Sequence, residues 1–235
     1  MAKISRFAHD FVRYWPLAEL RVTAPRVTLR YPDLDDMAAI AEAAEVGIYD
    51  PARTANPMGG WAAEPDPRAR AVGVLSHLWE TQGAWAPSRW RLSLAVIPAG
   101  EERPIGIQAM SATDFGVCRT VETGSWLRQD RHGEGIGTEM RAAVLHLAFA
   151  GLGAARARSG AYEDNPASIA VSRRLGYQPD GTLIKNRDGR PVTEIRFALT
   201  RGQWAQNHHG SHGSHGSIDI AGLTAEAADM FGAPS

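Results

Sequence analysis

Hydrophobic positions along this chain fall into short runs that switch between two periods. Runs with strand-like patterning occupy 26–30, 91–97, 105–110, 121–127 and 155–160, and two closing strands end at 194–199. Pro98, Ala99 and Gly100 mark a hairpin between the second and third of these. Helical spacing appears at Met37, Ile40, Ala41 and Ala44, behind a cap at Asp33 or Asp35. It recurs over 68–85, where Val72, Leu75, Leu78 and Trp79 are predicted to share the buried side. A third helix carries Met140, Val144 and Leu147 and stops at Gly151-Leu152-Gly153; a fourth starts at Asn165. Trp15, Leu17, Leu20 and Val22 read as an extended lead-in, and the Pro- and Gly-rich stretch 49–66 as a long loop. Strands and helices interleaved in this way predict an α/β fold with a mixed, mostly antiparallel central sheet flanked by helices.

The periodicity lapses near the C-terminal end. His208, His209, His212 and His215 are spaced by glycine and serine, so 207–217 reads as a flexible linker. Such histidines can collect Zn²⁺ or Ni²⁺ adventitiously, yet glycine and serine fix no ligand geometry, and no metal site is expected. The organisation is then a lead-in at 1–20, one domain at 21–206, the linker at 207–217 and a tail at 218–235. Within the tail, residues 218–231 predict a short apolar-faced helix that docks on its own subunit or on a second one, which would suit a homodimer.

Composition narrows the function classes. With 235 residues, 44% of them apolar and 22% charged, the chain matches a globular domain with a substantial core. A net charge of −1 gives no general attraction to nucleic acid or anionic membrane, and neither is expected as a partner. Residues 1–10 contain no apolar run able to act as a signal or a span, and the lone Cys118 suits a reducing compartment; a cytoplasmic location is expected. Cys118 adjoins Arg119 but has no histidine at useful spacing, so it reads as a small structural residue rather than a nucleophile.

Chemistry concentrates at 131–138, Arg-His-Gly-Glu-Gly-Ile-Gly-Thr, between a short apolar strand and an amphipathic helix. Alternating glycines there permit a tight turn, leave backbone N–H groups unscreened and add the positive end of a helix dipole, which together suit a pyrophosphate. A P-loop would need Lys-Ser/Thr after Gly137, where Thr138-Glu139 stands. A dinucleotide fingerprint would need glycine at Thr138. ATP and NAD are therefore disfavoured. A bare tight turn would also explain the glycines taken alone.

Residues 132–137 resemble motif A of the GNAT acyltransferases, and other blocks match in order. The helix at 137–145, the Asn165-x-x-Ser168 helix with its closing Leu175-Gly176-Tyr177, and an opening strand at 23–30 are similar to that family's branch acting on ribosomal-protein N-termini and small amines. The resemblance implies a GNAT fold whose domain spans 21–206 and an N-acyltransferase that uses acyl-CoA, acetyl or succinyl, as cosubstrate without metal. The acceptor would be an amine, on a small molecule or a protein N-terminus, attacking directly in a ternary complex. The alternative is a non-catalytic acyl-CoA-binding regulatory or partner module on the same fold.

Carried over position by position, the CoA-binding residues are Leu127, His132, Gly133, Glu134, Gly135, Ile136, Gly137, Thr138, Asn165 and Ser168. Two departures stand out: His132 replaces the usual Gln or Arg, and Glu134 puts an acid inside the cradle, so its side chain has to turn to solvent. Ser172 stands where relatives carry a tyrosine that protonates the leaving thiolate, which leaves water or Ser168 for that task. Glu122 is the candidate general base, or else an exposed strand residue; Asp114, His77 and Tyr49 are lesser candidates. Arg173 or Arg174 would meet the CoA 3′-phosphate or simply face solvent, and Arg53 or Arg68 would pair with a succinyl carboxylate.

Overall fold

Among the described residues nine strands form a single sheet in the order β7-β8-β6-β5-β4-β3-β2-β1-β9. The structure is a computed structural model that describes residues 11–51, 55–58, 60–209 and 216–233. The strands are β1 (Arg21–Ala24), β2 (Val27–Arg30), β3 (Arg89–Pro98), β4 (Gly106–Thr113), β5 (Thr120–Leu127), β6 (Arg156–Tyr162), β7 (Gln178–Arg187), β8 (Arg190–Thr200) and β9 (Asp219–Ala221). Neighbours pair antiparallel except β5 and β6, which run parallel. The mixed, mostly antiparallel sheet flanked by helices is therefore the fold. Among the described residues no helix is long and apolar enough to cross a membrane.

Two helices cover one face of the sheet: α1 (Leu34–Val46) and α2 (Pro67–Gly83). Met37, Ile40, Ala43, Ala44, Val74 and Leu78 pack there against Ala95, Ile97, Ile107, Ala109 and Trp126. Asp33 begins α1 with a reciprocal capping box to Asp36, and Arg30 clamps that buried carboxylate with hydrogen bonds of 2.8 and 2.6 Å. On α2 the expected burial holds for Leu75 and Leu78 but not for Val72 and Trp79. Val72 and Trp79 are 55% and 54% exposed, while Ala71, Val74 and Leu78 face the sheet. The buried stripe therefore runs through Ala71, Val74 and Leu78, one step round the helix from Val72 and Trp79.

The opposite face carries α4 (Ile136–His146), which follows a single short turn, α3 (Phe115–Cys118). Met140, Ala143 and Val144 belong with Leu29, Leu94, Val96, Met110 and Val121 to the larger core cluster. Because β3 has helices on both faces, it is buried nearly throughout. Next to α4 lies α5 (Pro166–Arg174), and α6 (Arg201–His209) follows β8.

Both ends of the chain depart from expectation. The stretch read as one opening strand is a hairpin, because Pro25 and Arg26 form the turn between β1 and β2. Residues 16–19 are a 3-10 turn rather than extended, with Leu17 and Leu20 fully buried. At the other end Ile220 sits in β9, paired antiparallel with β1, and only α7 (Ala225–Asp229) is helical. This segment docks on its own chain. Phe231 is fully buried against Trp85 and Trp90, with centroid separations of 5.4 and 4.9 Å. The two indole N–H groups donate to the Met230 and Phe231 carbonyls at 2.9 and 3.0 Å. Phe231→Ala should therefore lower folding stability by about 3–5 kcal/mol, as for other buried phenylalanines. Urea denaturation measures it; a loss below about 0.5 kcal/mol would show the segment to be a loose appendage.

Candidate active site

The site begins where a strand pair fails. β5 and β6 are paired from Thr120↔Arg156 to Thr123↔Ser159, and then part. Beyond that point Gly124 to Leu127 pairs only with β4, and Gly160 to Tyr162 only with β8. The two inner edges of the resulting wedge keep backbone N–H and C=O groups without ladder partners. A cleft of about 900 Å³ passes through it. Gly124 to Leu127 and Gly160 line its sides, Ile48, Tyr49, Asp50, Pro57 and Met58 border it from the long loop, and Asn165 and Ser168 stand at the far wall.

The glycine segment closes one end of the cleft. Gly133 and Gly135 have φ of +87° and +81°, a region that penalises any side chain, so these positions need glycine. Gly137 has an ordinary φ, and a Cβ there would meet nothing within 4 Å; its glycine keeps the cleft open rather than the turn possible. Among the described residues the N–H groups of 133–137 have no hydrogen-bond acceptor in the protein. They converge at the N-terminus of α4, as anion sites require. These residues fit a CoA pyrophosphate.

The carboxylates around the cradle are each paired with an arginine. Glu134 does not line the cleft; its carboxylate meets Arg131 at 2.8 and 3.1 Å, and Arg131 also holds Glu101 at 2.8 and 3.1 Å. The Arg131 guanidinium keeps both carboxyls below the usual carboxylate range. Arg26, in the β1–β2 turn, donates to the Glu134 carbonyl, while its own N–H donates to Glu139 at 2.6 Å. Glu139 is buried in the first turn of α4, where the helix dipole favours an acid. The acid in the motif is thus turned outward.

The other residues named from sequence divide into those at the cleft and those away from it. His132 lines the cleft, but its Nε2 is 3.0 Å from the Leu127 carbonyl. A carbonyl can only accept, so Nε2 carries the proton and the ring braces the end of β5. Leu127, Ile136 and Thr138 line the cleft. Asn165 caps α5 by accepting from the Ser168 N–H at 3.1 Å, and the Ser168 side chain is half-buried. Ser172 is fully buried and donates back to the Ser168 carbonyl at 3.1 Å, so its hydroxyl is directed into the helix. Glu122 shares the sheet face of Gly124 but is not among the lining residues; its side chain is 56% exposed and pairs with Arg196 at 2.7 Å. Tyr49 lines the cleft, whereas His77, Asp114 and Cys118 do not. His77 is half-buried on α2, and burial lowers its pKa, with Arg91 adding to the effect. Arg68, Arg173 and Arg174 face solvent, and Arg53 lies outside the described residues, as does most of the histidine-rich linker.

Two arginines lining the cleft escaped the sequence reading. Arg91, on β3, has its Nε buried without a hydrogen-bond partner. Arg141, on α4, is 4% exposed. Its Nη1 donates to Ser159 on β6 at 3.0 Å and its Nη2 to Ser125 on β5 at 3.1 Å, so one guanidinium spans the two strands where they part. Among the described residues no carboxylate comes within ion-pair distance of it, and its Nε has no partner. Burying an unpaired guanidinium costs on the order of several kcal/mol. The signal in the sequence was an arginine inside the run Met140 to Leu145, flanked by otherwise apolar residues.

A family profile described as "Acetyltransferase (GNAT) domain" matches residues 26–178, well over half of the chain. The chain belongs to the GNAT acetyltransferase family. It is a GNAT N-acetyltransferase-type enzyme, and the family uses acetyl-CoA with an acyl acceptor. Among solved structures it is similar to Mycobacterium smegmatis RimJ in complex with CoA-disulfide, with 22% identity and a TM-score of 0.63 over 83% of this chain and 95% of that one. A GNAT-family acetyltransferase from Bacillus anthracis matches at 16% identity and TM-score 0.58, covering 77% and 99%. Mutant forms of the spermidine/spermine N-acetyltransferase SpeG from Vibrio cholerae match at 15% and 0.55, covering 77% and 96%. At such identities these likenesses establish the GNAT fold.

The open space at Gly137 gives a clean test of the cradle. Gly137→Asp should fold normally, because an acid in the first turn of a helix stabilises it by about 0.3–1 kcal/mol. The same carboxylate should weaken CoA binding at least about tenfold, roughly 1.4 kcal/mol. Calorimetry with CoA beside a thermal melt measures both; a normal melt with unchanged affinity would place the pyrophosphate elsewhere.

Proposed function

We propose that this GNAT enzyme transfers an acetyl group from acetyl-CoA to an amine by direct attack, with both substrates bound together. The observation that carries this reading is the wedge between β5 and β6 opening directly beside the glycine cradle. Pyrophosphate would rest on the N–H groups of Gly133, Glu134, Gly135, Ile136 and Gly137, with Thr138 lining the cleft beside them. The pantetheine arm would lie along the unpaired edge of β5 up to Leu127, where a backbone N–H can polarise the thioester carbonyl. Asn165 and Ser168 would meet the arm near the thiol. Holding the amine against the thioester in this way can remove about 7–11 kcal/mol of barrier.

The acceptor would enter from the face carrying α1, α2 and the long loop, because Tyr49, Met58, Arg91 and Gly124 surround the cleft on that side. It is an amine on a small molecule or a protein N-terminus; succinyl is the alternative acyl group. The amine nitrogen forms the new bond to the carbonyl carbon, the carbon–sulfur bond breaks, and sulfur leaves with the electron pair. Glu122 takes the amine proton through water, its orientation set by the ion pair with Arg196. Ser168 donates a hydrogen bond to the departing sulfur, since the Ser172 hydroxyl is engaged with its own helix. The reading as a non-catalytic CoA-binding module loses one of its two supports, because Glu134 is paired with Arg131 away from the cradle.

These assignments make separable predictions. Glu122→Gln should lower kcat/KM by roughly 10²–10⁴-fold while CoA binding stays intact, and should move the acidic limb of the pH–rate profile. A loss under about fivefold with an unchanged profile would hand deprotonation to solvent. Ser168→Ala should reduce kcat more than it weakens CoA binding and should leave the melting temperature in place, because Asn165 caps the Ser168 N–H rather than its hydroxyl. Equal losses in affinity and turnover would move Ser168 from the reacting end to the length of the arm.

A further inference from the structure

Arg141 is a nearly buried cation lining a cleft in which negative charge has to appear. Its guanidinium joins Ser125 and Ser159 across the mouth of the wedge, and one of its N–H groups remains without a partner. The groups around it are hydroxyls. Ser125 and Ser159 come from β5 and β6, and Ser168 and Asn165 stand in the far wall of the same cleft. The titratable neighbour is Tyr177, which bonds Thr123 at 3.2 Å; burial raises its phenol, with Arg141 opposing, and burial likewise lowers the Arg141 guanidinium from its very high ordinary value, with Tyr177 opposing. Nothing among the described residues neutralises Arg141 by ion pairing. Such a site favours a ligand that brings or develops a negative charge.

In acyl transfer from a thioester negative charge develops on the carbonyl oxygen, which the β5 backbone N–H serves, and then on the departing sulfur. The carbon–sulfur bond breaks as the carbon–nitrogen bond forms, and the sulfur keeps the electron pair until it gains a proton. A phenol acid is missing at this point, for the residue there is Ser172, buried with its hydroxyl on the Ser168 carbonyl. A serine hydroxyl at Ser168 is too weak an acid to protonate a thiolate outright, though it can hydrogen-bond to one. Resting on the proposed function above, we propose that Arg141 stabilises the departing CoA thiolate electrostatically, so that the sulfur leaves as an anion and is protonated later by water. The two serine hydroxyls hold the guanidinium at the fork of the strands, and its low-dielectric setting makes its field stronger there than at the surface.

The test reads the thiol and not the turnover. Full-length protein is titrated with and without bound CoA, following thiolate absorbance in the ultraviolet; the difference cancels the exposed Cys118. Bound CoA thiol should titrate about one unit or more below free CoA, a tenfold higher thiolate fraction at a given pH. Arg141→Met should abolish that shift while CoA still binds, and Arg141→Lys should restore part of it. A wild-type thiol that titrates at or above its free value overturns the inference whatever the variants do. So does a shift that survives in Arg141→Met. CoA that binds wild-type protein with an ordinary thiol sinks this inference alone; CoA that fails to bind sinks the acyl-CoA reading with it. If Arg141→Met does not fold, Arg141→Gln takes its place, and a thiol shift that survives the loss of the charge while CoA still binds overturns the inference.

Discussion

Everything at the site follows from the short reach of one parallel strand pair. Parallel ladders gain slightly less per residue than antiparallel ones, and here β5 and β6 stay together only as far as Thr123 and Ser159. Each strand keeps its antiparallel partner on the other side, so the sheet stays intact while a wedge opens within it. A parallel crossover also brings a helix across the sheet, and α4 arrives with its N-terminus at the open end of the wedge. The anion cradle and the slot for an extended arm are therefore consequences of a single topological choice. Changing the register by one residue would turn Gly124 and Trp126 to the other face and remove both.

Electrostatic order around the cradle depends on residues distant in sequence. Glu134 would oppose an anionic ligand if it faced inward, yet Arg131 turns it out and shares it with Glu101. Arg26 then fixes the same loop from the β1–β2 turn through the Glu134 carbonyl. These are partly exposed pairs whose energies are individually small. Their effect is positional: they set where the backbone N–H groups point and keep a neighbouring carboxylate from cancelling the helix dipole.

The parts of this protein legible in its sequence were those governed by local geometry. Alternating glycines at a helix mouth and the cap at Asn165 are short-range statements, and they located the loop and the helix that line the cleft. Less legible was anything decided by packing between distant segments. Leu75 and Leu78 of the expected stripe pack on the core, but Val74 joins them there while Val72 and Trp79 face solvent. Ile218 to Phe231 suggested a helix, whereas an open edge at β1 recruited Ile220 as a strand. Arg141 looked like one more helix residue because its burial, its two serine partners and its lack of a carboxylate are all long-range facts. Glu134 could be recognised as an anomaly but not resolved, since Glu101 and Arg26 come from other turns.

The pairing of β9 with β1 also constrains the order in which the molecule can be completed. Arg21 meets Ala221, 200 positions later in the chain, and Trp90 receives its indole acceptor from Phe231. During synthesis the first strand emerges early and waits with one edge unsatisfied, while the Trp85 and Trp90 rings lack their aromatic cover. Contacts of such sequence separation form late because they close a long loop, and exposed strand edges are adhesive in the meantime. Once in place, the 219–231 segment closes that edge of β1 and covers the two indoles together.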